Sequence, residues 1–314
     1  MRIVFFGSPE AALPSFRKLL DGGHSVELVV TQPDKPAGRG RRLTPSAIKA
    51  FALRRGIPVL EPGRIRKDET VLPRIREARP DIQVVVAYGQ IIPGSIIDFP
   101  ARRSLNVHFS LLPKYRGAAP VQWAILNGET ETGVTIFELN ERMDEGDILA
   151  QVRTAIGPRE SAGELESRLA DMGAGLLVET LDRIDALERR PQDNSQATLA
   201  PKIGKEDGRI DWSVPPAAVE RRVRALAERP GTFTFFRGGR VLVHRGMALD
   251  GEWPGRQPGE IVSASRDGLL VACGSGGAYL IEFLQPEGRG RMSAHAFANG
   301  AKIEAGEMLG EVRA

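Results

Sequence analysis

The apolar run at residues 82–87 (Ile-Gln-Val-Val-Val-Ala) constrains the fold of this chain more than any other feature of its sequence. A strand with one solvent-facing side alternates apolar and polar residues, and this run does not alternate. Near-continuous β-branched residues are typical of a strand that is buried on both faces. The run therefore predicts a parallel sheet with helices packed on both sides.

The first 190 residues repeat this pattern, in which short apolar runs alternate with helical periodicity. The pattern predicts an α/β fold, with residues 1–190 forming a Rossmann-like domain around a mostly parallel sheet. The predicted strands are residues 2–6, 26–30, 82–87, 105–108 and 134–138. The predicted helices are residues 9–20, 46–55, 70–78, 120–127 and 162–187.

The remainder of the chain has a different pattern. Polar residues dominate around residues 191–208, which predicts a linker. Residues 209–314 then show one helical stretch at 216–228 and several short strands separated by Gly-rich turns. The predicted strands are residues 232–236, 241–249, 260–263, 269–273 and 278–284. This arrangement predicts a small OB-like β-barrel, with an SH3-like barrel or a small sandwich as the alternative.

Composition excludes several classes of protein. A length of 314 residues suggests two domains. No apolar run approaches the ~18 residues of a membrane span. The single cysteine, Cys273, excludes an internal disulfide and fits a reducing cytoplasm.

Cofactor signals are weak in this sequence. Its four histidines are scattered without metal-ligand spacing, so we expect no metal site. The turn after the first strand, Gly7-Ser8-Pro9, lacks the second and third glycines of a dinucleotide-binding turn. Ser8 is better interpreted as the N-cap of the first helix, with Pro9 at its first position.

A basic stretch follows the second predicted strand. Between residues 35 and 55 there are seven basic residues and no acidic one. Two prolines and two glycines within residues 31–43 argue against a regular element there and predict a long loop with three arginines. The stretch is either a solvated surface or a site for a phosphate-rich partner, and charge alone does not decide between them.

Asn106 and His108 are the strongest candidates for chemistry. They stand two residues apart at the end of a predicted strand, so both side chains project to the same face. A Leu-Leu-Pro turn and a basic, Gly-rich loop follow directly. A buried Asn–His pair satisfied within the core is the alternative, but the adjacent constrained loop favours an active site.

A carboxylate near His108 would favour its imidazolium form and fix the orientation of the ring. Asp144 and Asp147 both qualify, because they follow the predicted strand 134–138 and strand ends gather at one edge of an open sheet. No convincing nucleophile is present, because Ser110 is better explained as a turn hydroxyl and Cys273 belongs to the other domain. The set fits direct attack of an amine on a carbonyl, with Asn106 donating to the oxyanion.

Several motifs together carry a family resemblance. They are the Asn-x-His pair followed by Ser-Leu-Leu-Pro-x-Tyr-Arg-Gly at 110–117, the Thr-Gln-Pro-Asp-Lys-Pro run at 31–36, the Asp-x-Gly-Asp segment at 144–147, and Arg-Ile-Asp-Trp-Ser at 209–213. The chain resembles the formyltransferases that use 10-formyltetrahydrofolate. The matches span nearly its whole length, and those at 31–40 and 209–213 resemble the members that formylate initiator methionyl-tRNA.

The resemblance implies roles for particular residues. Asn106, His108 and Asp144 would form the catalytic trio, which favours Asp144 over Asp147. The residues implied at the folate site are Ser110, Leu111, Leu112, Pro113, Tyr88, Gly89, Gln90 and Asn140. The arginines implied at the acceptor end of the tRNA are Arg39, Arg41 and Arg42.

The resemblance also implies the partners: 10-formyltetrahydrofolate as co-substrate, initiator methionyl-tRNA as acceptor, and no metal and no membrane. We expect a monomer. Two rivals remain at this point, namely a formyltransferase acting on a small amine and an RNA-binding protein with an inert α/β domain. The second predicted domain favours tRNA as the acceptor, because a small acceptor needs no second binding domain.

Overall fold

The computed structural model describes residues 1–37, 42–100, 104–249 and 251–310. Contacts divide the chain into two compact units. The N-terminal unit comprises residues 1–120, 131–155 and 164–201, and the C-terminal unit comprises residues 121–130, 156–163 and 202 onward.

The α-helices are α1 (Leu13–Asp21), α2 (Ala47–Arg54), α3 (Val71–Ala78), α4 (Gly94–Ile97), α5 (Pro120–Leu126), α6 (Ala162–Asp182), α7 (Pro216–Leu226) and α8 (Ala294–Ala301). The strands of the first 200 residues are β1 (Arg2–Gly7), β2 (Ser25–Val30), β3 (Lys35–Ala37), β4 (Arg42–Thr44), β5 (Val59–Leu60), β6 (Ile82–Val86), β7 (Ser104–His108), β8 (Arg116–Gly117), β9 (Glu131–Glu138), β10 (Ile148–Ala155) and β11 (Leu199–Ala200). The later strands are β12 (Thr232–Phe236), β13 (Gly239–Leu249), β14 (Ile261–Ala264), β15 (Leu269–Ala272), β16 (Ala278–Pro286) and β17 (Met292–Ser293).

A seven-stranded sheet forms the centre of the N-terminal unit, in the order β10-β9-β7-β6-β1-β2-β5. The five strands from β7 to β5 are parallel to one another. Strand β9 runs antiparallel to β7, and β10 runs antiparallel to β9. Every residue of β6 is buried, which confirms the fold predicted from residues 82–87. Successive side chains of β1 pack on opposite faces of the sheet: Phe5 stacks on Phe16 of α1, while Phe6 contacts Tyr88 on the other face.

Two local predictions in this unit are wrong. Residues 31–43 do contain regular structure, since β3 and β4 pair as a short antiparallel hairpin. Pro36 is tolerated because a two-stranded ribbon consists only of edge strands. Ser8 is not a helix N-cap: the first turn is a 3₁₀ helix at Glu10–Ala12, and the Ser8 hydroxyl instead accepts the backbone N–H of Gln32 at 3.0 Å.

The C-terminal unit is built on an antiparallel sheet in the order β12-β13-β16-β15-β14, with β17 paired to β16. Residues 306–310 bridge the two outer strands, because Gly310 N–H donates to Phe235 O in β12 and Gly306 N–H donates to Ile261 O in β14, both at 2.8 Å. This segment closes the sheet around a core that includes Trp212, Tyr279 and Ile281. The predicted α/β domain followed by a small antiparallel barrel is confirmed.

The structure also contains elements that were not predicted. Helix α8 begins after Ser293, whose hydroxyl accepts the backbone N–H of Ala296 at 3.1 Å.

In the described part of the chain, no helix combines the length and apolar character that crossing a bilayer requires.

Candidate active site

Asn106 and His108 lie on β7, which pairs with β6 on one side and β9 on the other. His108 is buried, whereas Asn106 is partly exposed. Within the described residues, the amide of Asn106 has no hydrogen-bond partner. An unpaired, half-buried amide beside a histidine is available to a ligand oxygen.

The environment of the His108 ring fixes its orientation. Nε2 lies 2.9 Å from the backbone carbonyl oxygen of Tyr115, and because a carbonyl only accepts, Nε2 carries a proton. Nδ1 faces Asp144, whose Oδ2 is 3.8 Å away. The ring is thus held between a carbonyl at one nitrogen and a carboxylate near the other.

Asp144 is held by contacts on both its side chain and its backbone. The N–H of Gly117 donates to Asp144 Oδ2 at 2.8 Å, and the side-chain amide of Gln192 donates to Asp144 O at 2.9 Å. The backbone of Asp144 is left-handed, with φ +54°. Asp tolerates this region better than most residues, but the conformation still requires support from its surroundings.

The structure brings Asp144 to His108 by a route that differs from the predicted one. Because β9 runs antiparallel to β7, its carboxyl end at Glu138 lies beside Leu105, at the far end of β7 from His108. The two strand ends therefore do not share an edge of the sheet. Residues 139–147 instead return toward Phe137, where β10 begins, and this return carries Asp144 to the histidine.

Residues 110–113 form a turn that is tied down by hydrogen bonds. The hydroxyl of Ser110 donates to Lys114 O at 2.6 Å, as predicted for a turn-stabilising residue. Thr135 Oγ1 donates to Ser110 O at 2.7 Å and accepts the N–H of Leu112 at 3.1 Å. Leu112 is buried, whereas Leu111 and Pro113 are partly exposed, so the turn presents a fixed surface beside His108.

The other residues implied at the folate site occupy two segments. Tyr88 is a core side chain, and its carbonyl oxygen accepts the amide of Gln32 at 2.7 Å. The side chain of Gln90 hydrogen-bonds to a neighbouring loop, since it accepts Ile65 N–H at 2.9 Å and donates to Pro62 O at 3.1 Å. Asn140 is exposed and accepts the N–H of Arg142 at 2.9 Å.

These two segments adjoin each other. Gly94, which follows the Tyr88–Gln90 segment, lies against Glu141, because a Cβ placed on it would collide with that carboxylate. Gly89, whose φ is +77°, lies instead against Gln32, whose amide a Cβ there would meet at 2.5 Å. Two large apolar side chains, Ile91 and Met143, are more than half exposed in the same segments. Exposed apolar surface of this kind is suited to contact with a flat ring such as that of a folate.

Of the three arginines implied at the acceptor end of the tRNA, one lies within the described residues. Arg39 and Arg41 lie outside the described residues, and Arg42 begins β4. The start of the hairpin is anchored by Lys49, which donates to Asp34 at 2.8 Å and Glu61 at 2.9 Å. These two hydrogen bonds, that to Asp34 first, raise the pKa of Lys49.

Two residues that support the site, Arg116 and Gln192, are not singled out by the sequence. Arg116 is buried and donates to Gln192 and Asn194, and Gln192 in turn donates to the Asp144 loop. The quoted Tyr-Arg-Gly motif contains Arg116 but gives no partner for it. Gln192 stands in a stretch whose polar composition indicates only a linker.

Cys273 offers no nucleophile to this site. It is buried in the C-terminal unit, and burial raises the pKa of its thiol to about 12. Over the described ranges, no group of three or more His, Cys, Asp and Glu side chains is placed to hold a metal ion.

Comparisons with known proteins cover both halves of the chain. A family model described as formyl transferase matches residues 1–181, and one described as formyl transferase, C-terminal domain, matches residues 202–302. A methionyl-tRNA formyltransferase of Geobacter sulfurreducens is 46% identical over 313 residues, covering 99% of this chain and 97% of that protein. One of Solibacter usitatus is 45% identical over 313 residues, covering 99% of each chain.

Solved structures show the same fold at low sequence identity. HypX of Aquifex aeolicus, solved with tetrahydrofolic acid, is 18% identical with a TM-score of 0.67, covering 98% of this chain and 48% of HypX. This chain therefore spans about half the length of HypX. WlaRD, a sugar 3N-formyl transferase solved with dTDP and 5-N-formyl-THF, is 18% identical with a TM-score of 0.66, covering 92% of this chain and 98% of WlaRD.

Proposed function

This chain belongs to the formyl transferase family, and we propose that it transfers a formyl group from 10-formyltetrahydrofolate to the amino group of methionine on initiator methionyl-tRNA. The product would serve translation initiation in the cytoplasm. The acceptor is supported by the identity of 46% to a methionyl-tRNA formyltransferase over almost the full length of both chains.

One observation supports this chemistry most directly. A buried histidine faces a carboxylate, and an amide with no partner among the described residues lies two residues away on the same face of β7. His108 Nε2 is engaged by the Tyr115 carbonyl, so Nδ1 is the nitrogen left for proton transfer. Its separation from Asp144 exceeds hydrogen-bond length, and such contacts often shorten only when substrate is bound.

The reaction then assigns a task to each residue. The methionine amine attacks the formyl carbon, and the amide of Asn106 donates to the oxygen that becomes negative. Protonated His108 adds positive charge beside this oxygen, and Asp144 stabilises that charge and orients the ring. His108 then supplies a proton as the folate nitrogen departs, and the proton lost by the attacking amine restores it.

The folate would be held by the turn at 110–113 and by the segments around Tyr88–Gln90 and Asn140. Because the side chains of Tyr88 and Gln90 are already engaged in the core and with the 62–65 loop, these residues would act mainly through their backbone. Ile91 and Met143 would supply apolar contact with the ring.

One assay tests the acceptor. The protein is incubated with 10-formyltetrahydrofolate and, in separate reactions, labelled methionyl-tRNA, glycinamide ribonucleotide or a sugar-nucleotide amine. We expect formyl transfer to methionyl-tRNA alone. Transfer to a small amine would establish the small-acceptor rival, and binding of tRNA without transfer to any acceptor would establish the non-catalytic one.

Arg39→Ala should weaken the interaction with tRNA. Loss of one phosphate contact raises the KM for methionyl-tRNA and makes log K fall less steeply with log salt, by about 0.7–0.9 in slope. The KM for the folate should not change. Steady-state kinetics over a range of salt concentrations measures both effects.

Arg183→Ala is the matched control, since it removes the same charge from an exposed position just after α6. Unchanged tRNA kinetics in Arg39→Ala, or an equal effect in Arg183→Ala, would remove the arginine loop from the proposal.

A further inference from the structure

We propose that Gln192 is a positioning residue that fixes the pose of Asp144, an inference that rests on the function proposed for Asp144. Gln192 is 48 residues from Asp144 along the chain. Its side chain acts on the backbone of the loop that carries the carboxylate.

The amide of Gln192 bonds to two carbonyls of this loop. Nε2 donates to Asp144 O at 2.9 Å and to Gly146 O at 2.8 Å, so both of its hydrogens are used. The first attachment is the carbonyl of Asp144 itself, whose backbone is left-handed with φ +54°, and the second lies two residues further along the loop. An amide that bonds to the carbonyl of the strained residue and to that of the residue two positions later holds a conformation that the loop alone would not favour.

Arg116 sets which way the Gln192 amide points. Its Nε and Nη2 donate to Gln192 Oε1 at 3.1 and 2.7 Å. Because a guanidinium only donates, the oxygen must face Arg116 and the nitrogen must face the Asp144 loop. Arg116 is itself fixed, since it is buried, donates to Asn194 at 2.7 Å and lies 3.4 Å from the carboxylate of Glu145.

The neighbours of Arg116 contact both members of the proposed catalytic pair. The carbonyl of Tyr115 accepts from His108, and the N–H of Gly117 donates to the carboxylate of Asp144.

The segment at residues 115–117 pairs in turn with residues 198–200. Tyr115 N–H donates to Thr198 Oγ1 at 2.9 Å, and β8 pairs with β11. Gly117 has φ +127°, and a Cβ there would meet Ala200 O at 2.6 Å, so the approach requires glycine. Residues 115–117, Gln192, Asn194 and residues 198–200 thus form one scaffold around His108 and Asp144.

The test uses Gln192→Glu, which keeps the size of the side chain and its acceptor for Arg116 but removes both donors to the loop. We expect kcat for formyl transfer to fall roughly tenfold to a hundredfold, as for a small misplacement of a catalytic group, with both KM values little changed. Gln196→Glu is the matched control, because it makes the same chemical change at an exposed position in the same segment, where Gln196 contacts Asp193.

A second measurement separates positioning from general damage. If Gln192 acts through Asp144, Gln192→Glu should have almost no further effect on kcat in an Asp144→Asn chain. An equal loss of kcat in both backgrounds, or wild-type kcat in the single variant, would overturn the proposal.

A third readout does not depend on activity. The ring resonances of His108, assigned by comparison with His108→Gln, should move in Gln192→Glu toward their positions in Asp144→Asn and stay unchanged in Gln196→Glu. If the wild-type protein formylates no acceptor, the proposed function fails but this experiment still decides the role of Gln192. Unmoved His108 resonances would overturn that role.

Discussion

His108→Gln should lower kcat for formyl transfer by roughly 10²–10⁴-fold, the usual contribution of a positioned general acid–base group. The glutamine amide can still donate to the Tyr115 carbonyl that His108 Nε2 contacts, so the turn keeps its hydrogen bond. It cannot carry a proton to or from the substrate. The KM values should change much less than kcat, since the lost interaction develops in the transition state.

The matched control is His295→Gln, which makes the same replacement in α8 of the C-terminal unit. His295 contacts the carbonyl of Ser265 and the amide of Asn299. Single-turnover kinetics measures the chemical step, and thermal unfolding shows whether each variant folds. Near-normal turnover in a folded His108→Gln protein would contradict the mechanism.

The sequence predicted the sheet because its strongest signal depends only on local composition. The β-branched run at 82–87 predicts a strand buried on both faces, and the structure places its residues 82–86 between β1 and β7. The Asn106–His108 pair was predictable for a similar reason, since the two-residue period of a strand fixes their common face.

The proximity of Asp144 to His108 could not be derived in the same way. The sequence does not show that β9 runs antiparallel to β7, and the predicted shared edge of the sheet does not exist. The observed approach depends on hydrogen bonds from Gly117 and Gln192, which come from two other parts of the chain. Long-range contacts of this kind leave no local periodicity.

Composition was also a poor guide to the short polar segments. The prolines and glycines of residues 31–43 predict an irregular segment, yet β3 and β4 pair there. Closure of the barrel depends on residues 306–310, whose Gly-rich sequence indicates a turn rather than a bridge between two outer strands. In both cases the backbone hydrogen-bonds to a partner that composition does not reveal.

Asn106→Ala should lower kcat by about 10²–10³-fold, equivalent to roughly 2.7–4 kcal/mol of lost transition-state stabilisation. The amide of Asn106 has no partner within the described residues and shares a face with His108, so removing it leaves no buried group unpaired. The loss should therefore appear in catalysis rather than in folding. Asn106→Asp should lose at least as much, because a carboxylate in the same position would repel the oxygen as it becomes negative.

The ratio of the kinetic constants distinguishes the role proposed for Asn106 from simple binding. An oxyanion donor changes kcat and kcat/KM together, whereas a residue that binds the ground state equally well raises KM and leaves kcat unchanged. Asn299→Ala, on the exposed side of α8, is the control for removal of an asparagine amide. A raised KM for the folate with unchanged kcat would place Asn106 in the folate site alone, and His108 would then be the only donor to the oxyanion on β7.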